Sequence, residues 1–342
     1  MKAKNKSAVV LCSGAMMLSQ GAFAADPEIS FYGLIDVYAG SVKAEGTDQK
    51  SVVVVNPSGM TTSFLGASSK IDLGDGLKAL IAVESFLRPD VGDDGRSDTD
   101  KFFARNAFVG LEGSAGAVKL GRNTTPYFIS TITSNPYGGS FGFGPSIKHS
   151  FLGGLNGDSG WSNSVLYESP KMGGFNASAL YGAGEVQGED GAAKMGLSAF
   201  YSAGKFSGTL AWQSVDTLAD DATAHPDDTQ TATLLGGSYD LEMLKLFAQY
   251  QIMETDTDAA PTVDYDTWQL GFSVPAAGGS VLISYASTDI SAATDSDRQS
   301  YALGYDKQLN KQVDLYAVAY KDDKSNVDST ATSLAVGGRF RF

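Results

Sequence analysis

The chain contains 342 residues, of which 40 are glycine and 11% are aromatic. Its 39 Asp and Glu residues outnumber its 25 Lys and Arg residues, which gives a formal net charge of −14 and argues against a nucleic-acid partner, because phosphate binding requires clustered cations. Beyond residue 24 the sequence contains no run of 18 apolar residues, which excludes a transmembrane helix. Hydropathy does not exclude membrane-spanning β-strands, because each of them needs only about ten alternating residues.

The first 24 residues have the organisation of a secretory signal peptide. Three lysines precede an apolar stretch over residues 8–18, which is followed by Ala22-Phe23-Ala24, a small-x-small cleavage site. The stretch is shorter than the roughly 20 residues of a membrane anchor, and Cys12 lacks the small residues that precede a lipoprotein cysteine. We therefore expect one domain over residues 25–342 with 22 basic and 39 acidic residues, a formal charge of −17, and no cysteine.

Apolar and polar residues then alternate in segments about ten residues long, which is the pattern of strands with two different faces. In the first segment, EISFYGLIDVY, Ile29, Phe31, Ile35 and Val37 share one face, and Asp36 lies on the other. The same alternation recurs along the chain in GLKALIAVE, GFNASALYG, LKLFAQYQI and DTWQLGFSV. Aromatic residues at the ends of these faces are typical of the girdles at a membrane interface, namely Tyr38, Tyr181, Tyr250 and Trp268.

Two kinds of connection alternate between these segments. Seven are short turns, such as GDG at 74–76, and eight are longer polar loops, such as RPDVGDDGRSDTDK. This count gives 16 antiparallel strands, an even number as in bacterial outer-membrane barrels. A soluble all-β sandwich would also alternate, but the long loops at one end and the aromatic ends of the strands favour an all-β, 16-stranded antiparallel transmembrane β-barrel.

The last segment, LAVGGRFRF, keeps its alternation up to the carboxylate. Leu334, Val336, Phe340 and Phe342 fall on the face expected to contact lipid, whereas Arg339 and Arg341 fall on the other face. Because an open strand edge is not tolerated in lipid, we expect this strand to pair with the first one and close the barrel.

Several stretches resemble the general diffusion porins of Gram-negative outer membranes. They are FYGLIDVY, FLGASSKIDLGDGLKALIAVE, RNAFVGLEGSAGAVKLGRNTTP, NSVLYESPKMGGFNASALYG and VGGRFRF. The resemblance implies a homotrimer of 16-stranded barrels, each a water-filled pore narrowed by an inward-folded third loop. It also implies that Phe340 and Phe342 belong to the signal read by the outer-membrane assembly machinery.

The resemblance further implies a constriction in which wall arginines face carboxylates of the third loop. Opposed charges there set a transverse field that filters solutes by size and charge. Arg105 and Arg122 correspond to wall arginines of the family, and alternation places Lys78, Glu84 and Asp36 on the inward faces of their strands.

The third loop, at roughly 123–160, departs from the family pattern. It contains a single acid, Asp158, and one lysine, Lys148, while Phe64 and Trp161 stand where further wall arginines are common. We therefore expect a less polar constriction with a weaker field, accompanied by four loop aromatics: Tyr127, Tyr137, Phe141 and Phe143.

The expected function is passive diffusion of small hydrophilic solutes and ions across the outer membrane. The alternative is a substrate-specific channel in which the loop aromatics, here with Phe128 as a fifth, stack sugars or aromatic solutes, although the same residues could pack the loop against the wall. A barrel with a plugged lumen is a third option. Catalysis, a metal site and a cofactor are not expected, because the only histidines, His149 and His225, lie in predicted loops and no Gly-x-Ser-x-Gly motif occurs.

Outer-membrane lipids and lipopolysaccharide are the expected surroundings of such a barrel. The acidic loops DDGRSDTD and ADDATAHPDD either bind divalent ions that bridge lipopolysaccharide or are ordinary solvated loops. The charge of −17 predicts a mild cation preference, although salt screens charges beyond a Debye length of roughly 8 Å.

Overall fold

The computed structural model describes residues 28–185, 193–216, 229–256 and 262–342. The predicted signal peptide and His225 lie outside these ranges. In the part of the chain that the structure describes, no helix is both long and apolar enough to cross a bilayer.

The described residues form 18 strands and two short helices. The strands are β1 (Ile29–Lys43), β2 (Val52–Pro57), β3 (Phe64–Gly74), β4 (Leu77–Arg88), β5 (Asp93–Asp94), β6 (Asn106–Gly113), β7 (Gly116–Thr124), β8 (Gly160–Glu168), β9 (Phe175–Gly182), β10 (Lys194–Ala203), β11 (Phe206–Asp216), β12 (Thr229–Asp240), β13 (Lys245–Asp256), β14 (Val263–Ala276), β15 (Gly279–Ser291), β16 (Ser296–Gln308), β17 (Val313–Lys324) and β18 (Ala331–Arg341). The helices are α1 (Pro126–Thr133) and α2 (Pro145–Phe151).

Sixteen wall strands make a closed antiparallel barrel, which confirms the predicted fold. β2 and β3 both pair with β1 and are the two halves of one interrupted wall strand, whereas β5 pairs only with β4 within an outer loop. The ring closes where β1 pairs with β18, from Leu34 opposite Arg341 to Lys43 opposite Thr332. The strand that carries LAVGGRFRF therefore pairs with the first strand, as predicted.

The two faces of the wall follow the alternation in the sequence. Phe31, Leu334 and Phe342 are exposed on the outside, and Tyr181, Tyr250 and Trp268 are exposed there as well. Tyr38 departs from the girdle prediction, because its side chain points inward and packs against Phe143 at a ring distance of 5.1 Å. A tyrosine on the polar face of a strand can thus support the inner loop instead of the membrane interface.

Short turns lie at one end of the barrel and longer loops at the other. The turn between β3 and β4 consists of Asp75 and Gly76, at φ 52 and φ 77. Two consecutive residues with positive φ give the twist that suits a tight hairpin, and Asp-Gly is a favoured pair for it. The GDG signal in the sequence therefore marks a real hairpin turn.

The third loop, residues 125–159, folds into the barrel, as predicted. Thr125 caps α1 by accepting a hydrogen bond from the Phe128 amide, and Pro126 stands in the first turn, where it needs no N–H partner. Helix α1 packs on β10, β11 and β12, and α2 packs on β14, β15 and β16. The loop therefore lies along one side of the inner wall and leaves the channel on the side of β3, β4, β6 and β7.

Candidate functional site: the neck of the channel

Three cavities follow one another along the barrel. An outer vestibule of ≈ 530 Å³ lies at the long-loop end, and an inner vestibule of ≈ 590 Å³ lies at the short-turn end. Between them is a cavity of ≈ 180 Å³, which we call the neck. Thr62 and Phe141 line both the neck and the outer vestibule, and Thr61 and Gly139 line both the neck and the inner vestibule. Adjacent cavities thus share lining residues, and the smallest of the three lies in the middle.

The loop side of the neck is apolar. Phe128 and Phe141 stack at a centroid distance of 5.9 Å, and Phe151, which lines the outer vestibule, contacts them at centroid distances of 5.1 Å and 6.1 Å. Ile129 and Ile132 of α1 complete this side of the neck. We call these five residues the aromatic shelf. Among the described residues that line the neck there is no carboxylate, which agrees with the expectation of a less polar constriction.

The wall side of the neck carries Arg105. Its guanidinium lies 4.0 Å from the centroid of the Phe64 ring and forms an ion pair with Glu84. Glu84 also accepts hydrogen bonds from the Tyr32 hydroxyl at 2.7 Å and the Asn106 amide at 2.5 Å. The Arg105 side chain is 32% exposed and that of Glu84 only 8%. Arg105 therefore faces the neck, whereas Glu84 lies behind it and borders a separate cavity of ≈ 500 Å³.

A second charged group joins the second and third loops above the neck. Asp158 accepts hydrogen bonds from Arg96 at 2.7 and 2.9 Å and from Arg122 at 3.0 Å, and Arg96 also binds Asp100. We call these four residues the clasp. Burial alone would raise the pKa of the Asp158 carboxyl, but the hydrogen bonds and positive charge of Arg96, aided by Arg122, hold that pKa below its usual value. The carboxylate is therefore ionised at neutral pH.

Three of the four predicted loop aromatics anchor the loop and do not line the neck. Tyr127 is fully buried and donates to the Gln251 side chain at 2.9 Å, and Tyr137 donates to the Leu282 carbonyl at 3.2 Å. Phe143 is buried against Tyr38. Only Phe141 of the four lines the neck.

Helix α2 is anchored by polar contacts. The His149 ring nitrogens lie 2.6 Å from the Thr288 hydroxyl and 2.8 Å from that of Ser300. Burial, with a contribution from the charge of Arg298, lowers the pKa of His149 to about 3, so the ring is neutral. The predicted pore residue Lys148 accepts a hydrogen bond at its carbonyl from Arg298, and its ammonium group lies over the Tyr320 ring at 4.6 Å.

Asp36 lies on the inward face, as alternation predicts, but it does not line the channel as a predicted pore residue would. It points inward but is fully buried, because its carboxylate accepts hydrogen bonds from the amides of Gly59, Met60 and Thr61 and from the Tyr316 hydroxyl at 2.5 Å. These contacts hold residues 58–63, the break between β2 and β3, against the inside of the wall. Asp36 therefore supports the fold of the neck without lining it.

Lys78 also lies away from the neck. It is the second residue of β4, just after the short turn, and stands opposite Asp72 and Glu112. The inner vestibule instead contains Arg339 and Arg341, which pair with Asp306 and Asp314. Both arginines face inward, as alternation predicted.

The sequence analysis named Phe128 only as one of the loop aromatics, and it did not single out Arg96, Ile129 or Ile132. The residue pattern of α1 could have indicated its two sides, because it follows a helical period. Phe128, Ile129 and Ile132 line the neck, whereas Tyr127, Ser130 and Thr131 are buried on the other side. Arg96 gave no such signal, because it stands in an acidic loop and its partner Asp158 is 62 residues away.

Known proteins with similar sequences and structures agree with this architecture. The outer membrane porin protein 32 of Delftia acidovorans is 29% identical over 336 residues, which cover 95% of this chain and 93% of that protein. An outer membrane porin protein of Bordetella pertussis is 25% identical over 384 residues, which cover 94% of this chain and 96% of that protein. An anion-selective porin from Comamonas acidovorans superimposes with a TM-score of 0.81 at 25% identity, covering 93% of this chain and 100% of that one.

The family model described as Gram-negative porin matches residues 8–327, which is most of the chain. The closed 16-stranded wall, the inward-folded third loop and the small cavity between two larger ones are features expected of such a channel. The chain belongs to the Gram-negative porin family and is an outer-membrane porin, a channel for passive diffusion of small hydrophilic solutes and ions.

Proposed function

We propose that the neck sets the size limit for passive diffusion through this porin. The observation that carries the proposal is that the neck, at ≈ 180 Å³, is the smallest of three cavities that share lining residues along the barrel, the other two measuring ≈ 530 Å³ and ≈ 590 Å³. Arg105, Glu84, Phe141 and the clasp are the constriction residues in this proposal. Lys148, Asp36 and the buried loop aromatics hold the loop in place, and Lys78 acts only near the short-turn end.

Ion selectivity is proposed to be weak, with a mild preference for cations. Near the neck the positive charges of Arg96, Arg105 and Arg122 are matched by the negative charges of Asp100, Asp158 and Glu84. The remaining bias comes from acids of the second loop such as Asp93, which are exposed to salt and therefore screened. The Comamonas acidovorans porin is anion-selective, so relatives with this fold need not share the preference.

The assembly and export of the chain are proposed from the family resemblance. We propose cleavage of residues 1–24 after export, a homotrimer in the outer membrane, contact with lipids and lipopolysaccharide, and recognition of Phe340 and Phe342 by the assembly machinery. No catalytic role is assigned to any residue. Within the described ranges, no group of three or more His, Cys, Asp or Glu side chains is placed to hold a metal ion.

The function is tested by conductance and solute uptake. Purified protein in planar bilayers is expected to give a current proportional to salt concentration. Its reversal potential across a salt gradient is expected to correspond to a cation permeability slightly above the anion permeability. Liposomes that contain it are expected to swell in uncharged sugars at rates that fall smoothly with sugar size. Uptake of one sugar alone among others of equal size would favour the substrate-specific alternative, and absence of any current would favour a plugged barrel.

A further inference from the structure

We propose that the neck transiently binds flat aromatic carboxylates as they pass. This inference rests on the proposed function of the neck as the narrowest part of a conducting channel. It adds a class of solute that the channel retains, namely a single aromatic ring that bears a negative charge. Three features of the channel support it: the charge in the neck, the shape of the apolar surface there and the continuation of that surface outward.

The first feature is the positive charge in the neck. Arg105 is the one charged residue among the described residues that line it. Its ion-pair partner Glu84 is held in the wall by Tyr32 and Asn106 as well, and its side chain is 8% exposed against 32% for Arg105. A solute in the neck therefore meets a guanidinium, whose planar donors suit a carboxylate.

The second feature is the apolar surface of the neck. The Arg105 guanidinium lies on the Phe64 ring, and Phe86 lines the same side. Across the neck, Phe128 and Phe141 are nearly parallel, with an angle of 26° between their ring planes. Aromatic rings attract each other in offset-stacked and edge-to-face arrangements. A neck of ≈ 180 Å³ is smaller than the about 300 Å³ at which pockets for drug-sized ligands begin, which suits a single ring.

The third feature is the apolar surface of the outer vestibule, through which a solute reaches the neck. In the outer vestibule the apolar surface continues with Phe151 and with Leu152, which is 57% exposed. On the opposite side Arg96 lies over the Phe86 ring at 4.9 Å. An arginine on a phenylalanine thus occurs twice along the path, each time facing the loop. Asp100 and Asp158, which line the same vestibule, neutralise Arg96. The feature that continues from the outer vestibule to Arg105 is therefore the ring surface, and Arg105 supplies the positive charge at its end.

The experiment compares three solutes on the intact, assembled protein in planar bilayers with potassium chloride. Sodium benzoate combines the ring and the charge, cyclohexanecarboxylate keeps the charge without a flat ring, and benzamide keeps the ring without the charge. Benzoate is expected to reduce the single-channel current in a saturable manner, with a half-blocking concentration about fivefold lower than that of either comparison solute.

Variants locate the block. Phe128→Leu and Phe141→Leu keep the neck apolar but remove a ring, and each is expected to weaken the benzoate block about fivefold. The double variant Glu84→Gln/Arg105→Gln removes the cation without leaving a buried carboxylate unpaired, and is expected to abolish the difference between benzoate and benzamide. Phe102→Leu is the matched control, because Phe102 is 56% exposed in the second loop and lies outside the neck.

The outcomes separate the two proposals. A channel that conducts but shows equal effects of the three solutes overturns the inference and leaves the diffusion pore standing. A block that survives in the shelf variants and in the double variant also overturns it, because binding then occurs elsewhere. If the unaltered protein gives no conductance, the proposed function fails and the inference fails with it.

Discussion

At the scale of single residues, the buried histidine of the third loop connects stability with pH. The His149 ring makes hydrogen bonds to the neutral hydroxyl groups of Thr288 and Ser300, and Arg298 lies close to it. A charged imidazolium would lose solvation there and meet the positive charge of Arg298. The helix α2 is therefore docked on the wall by the neutral form of the ring.

We predict that acid weakens this docking through His149. The pKa of His149 in the folded chain, about 3, is below the ordinary value of 6.5, so the unfolded chain takes up the proton first. The stabilisation is complete above pH 6.5 and is lost as the pH falls toward 3, with a slope of at most about 1.4 kcal/mol per pH unit. Thermal unfolding of the unaltered protein and of His149→Gln in detergent measures it.

The difference in unfolding temperature between these two proteins should shrink as the pH falls from 7 to 4. Titration of the carboxylates and of His225 is common to both proteins and cancels in the comparison. A difference that stays constant over this range would show that His149 does not titrate in the way its surroundings indicate.

At the scale of elements, sequence predicted the strands better than the contacts of the third loop. Strand positions follow from local alternation and turn residues such as Asp75 and Gly76, which need no knowledge of distant parts of the chain. The inward fold of the third loop followed from the family resemblance. Its details depend on partners far away in sequence, as in the hydrogen bond from Tyr127 to Gln251.

The constriction residues illustrate the same limit. Alternation correctly placed Glu84 and Asp36 on inward faces. It could not show that the Asp36 carboxylate accepts hydrogen bonds from backbone amides in the segment 58–63 and so does not reach the channel. The loop aromatics were recognised as a group, and only the folded loop separates Phe141, which lines the neck, from Tyr137, which is buried. Residue type and periodicity predict toward which face of a strand a side chain points. They do not predict which distant residue that side chain contacts.

The clasp between the second and third loops gives the prediction at this scale. Asp158→Asn removes the negative charge shared by Arg96 and Arg122 and leaves a net gain of one positive charge at the outer edge of the neck. Asp158 is next to Ser159, which lines the neck, so the charge acts within a Debye length of the ion path. The ratio of potassium to chloride permeability should fall roughly twofold to fivefold.

Reversal potentials across a salt gradient measure this ratio. Asp93→Asn is the matched control, since it removes one acid from the outer part of the second loop, where Asp93 lies 3.5 Å from Arg88 and is mostly exposed. Equal shifts in both variants would mean that total charge, and not the clasp, sets the selectivity.

At the scale of the whole molecule, the pairing that closes the ring extends to Phe342. The Phe342 amide donates to the Gly33 carbonyl at 3.1 Å, and the Gly33 amide donates to a carboxylate oxygen of Phe342 at 3.0 Å. A Cβ atom at Gly33 would lie 2.6 Å from Cζ of the Phe342 ring, which is too close, so glycine makes room for the ring on the outside of the barrel. Phe340 stacks beside it at 6.2 Å. The seam between β1 and β18 thus extends to the last residue of the chain.

We predict that the folded yield falls in the order unaltered protein, Phe342→Ala, deletion of Phe342. The alanine variant loses the ring over Gly33, and the deletion also loses two backbone hydrogen bonds worth about 1 kcal/mol each. Phe272→Ala is the control, because it removes an outward ring from β14, a strand paired on both sides by β13 and β15. Refolding from urea into detergent micelles, followed by heat-dependent gel migration, gives the folded fraction. If Phe342→Ala and Phe272→Ala refold equally well, the terminal ring contributes no more to closure than any other outward phenylalanine.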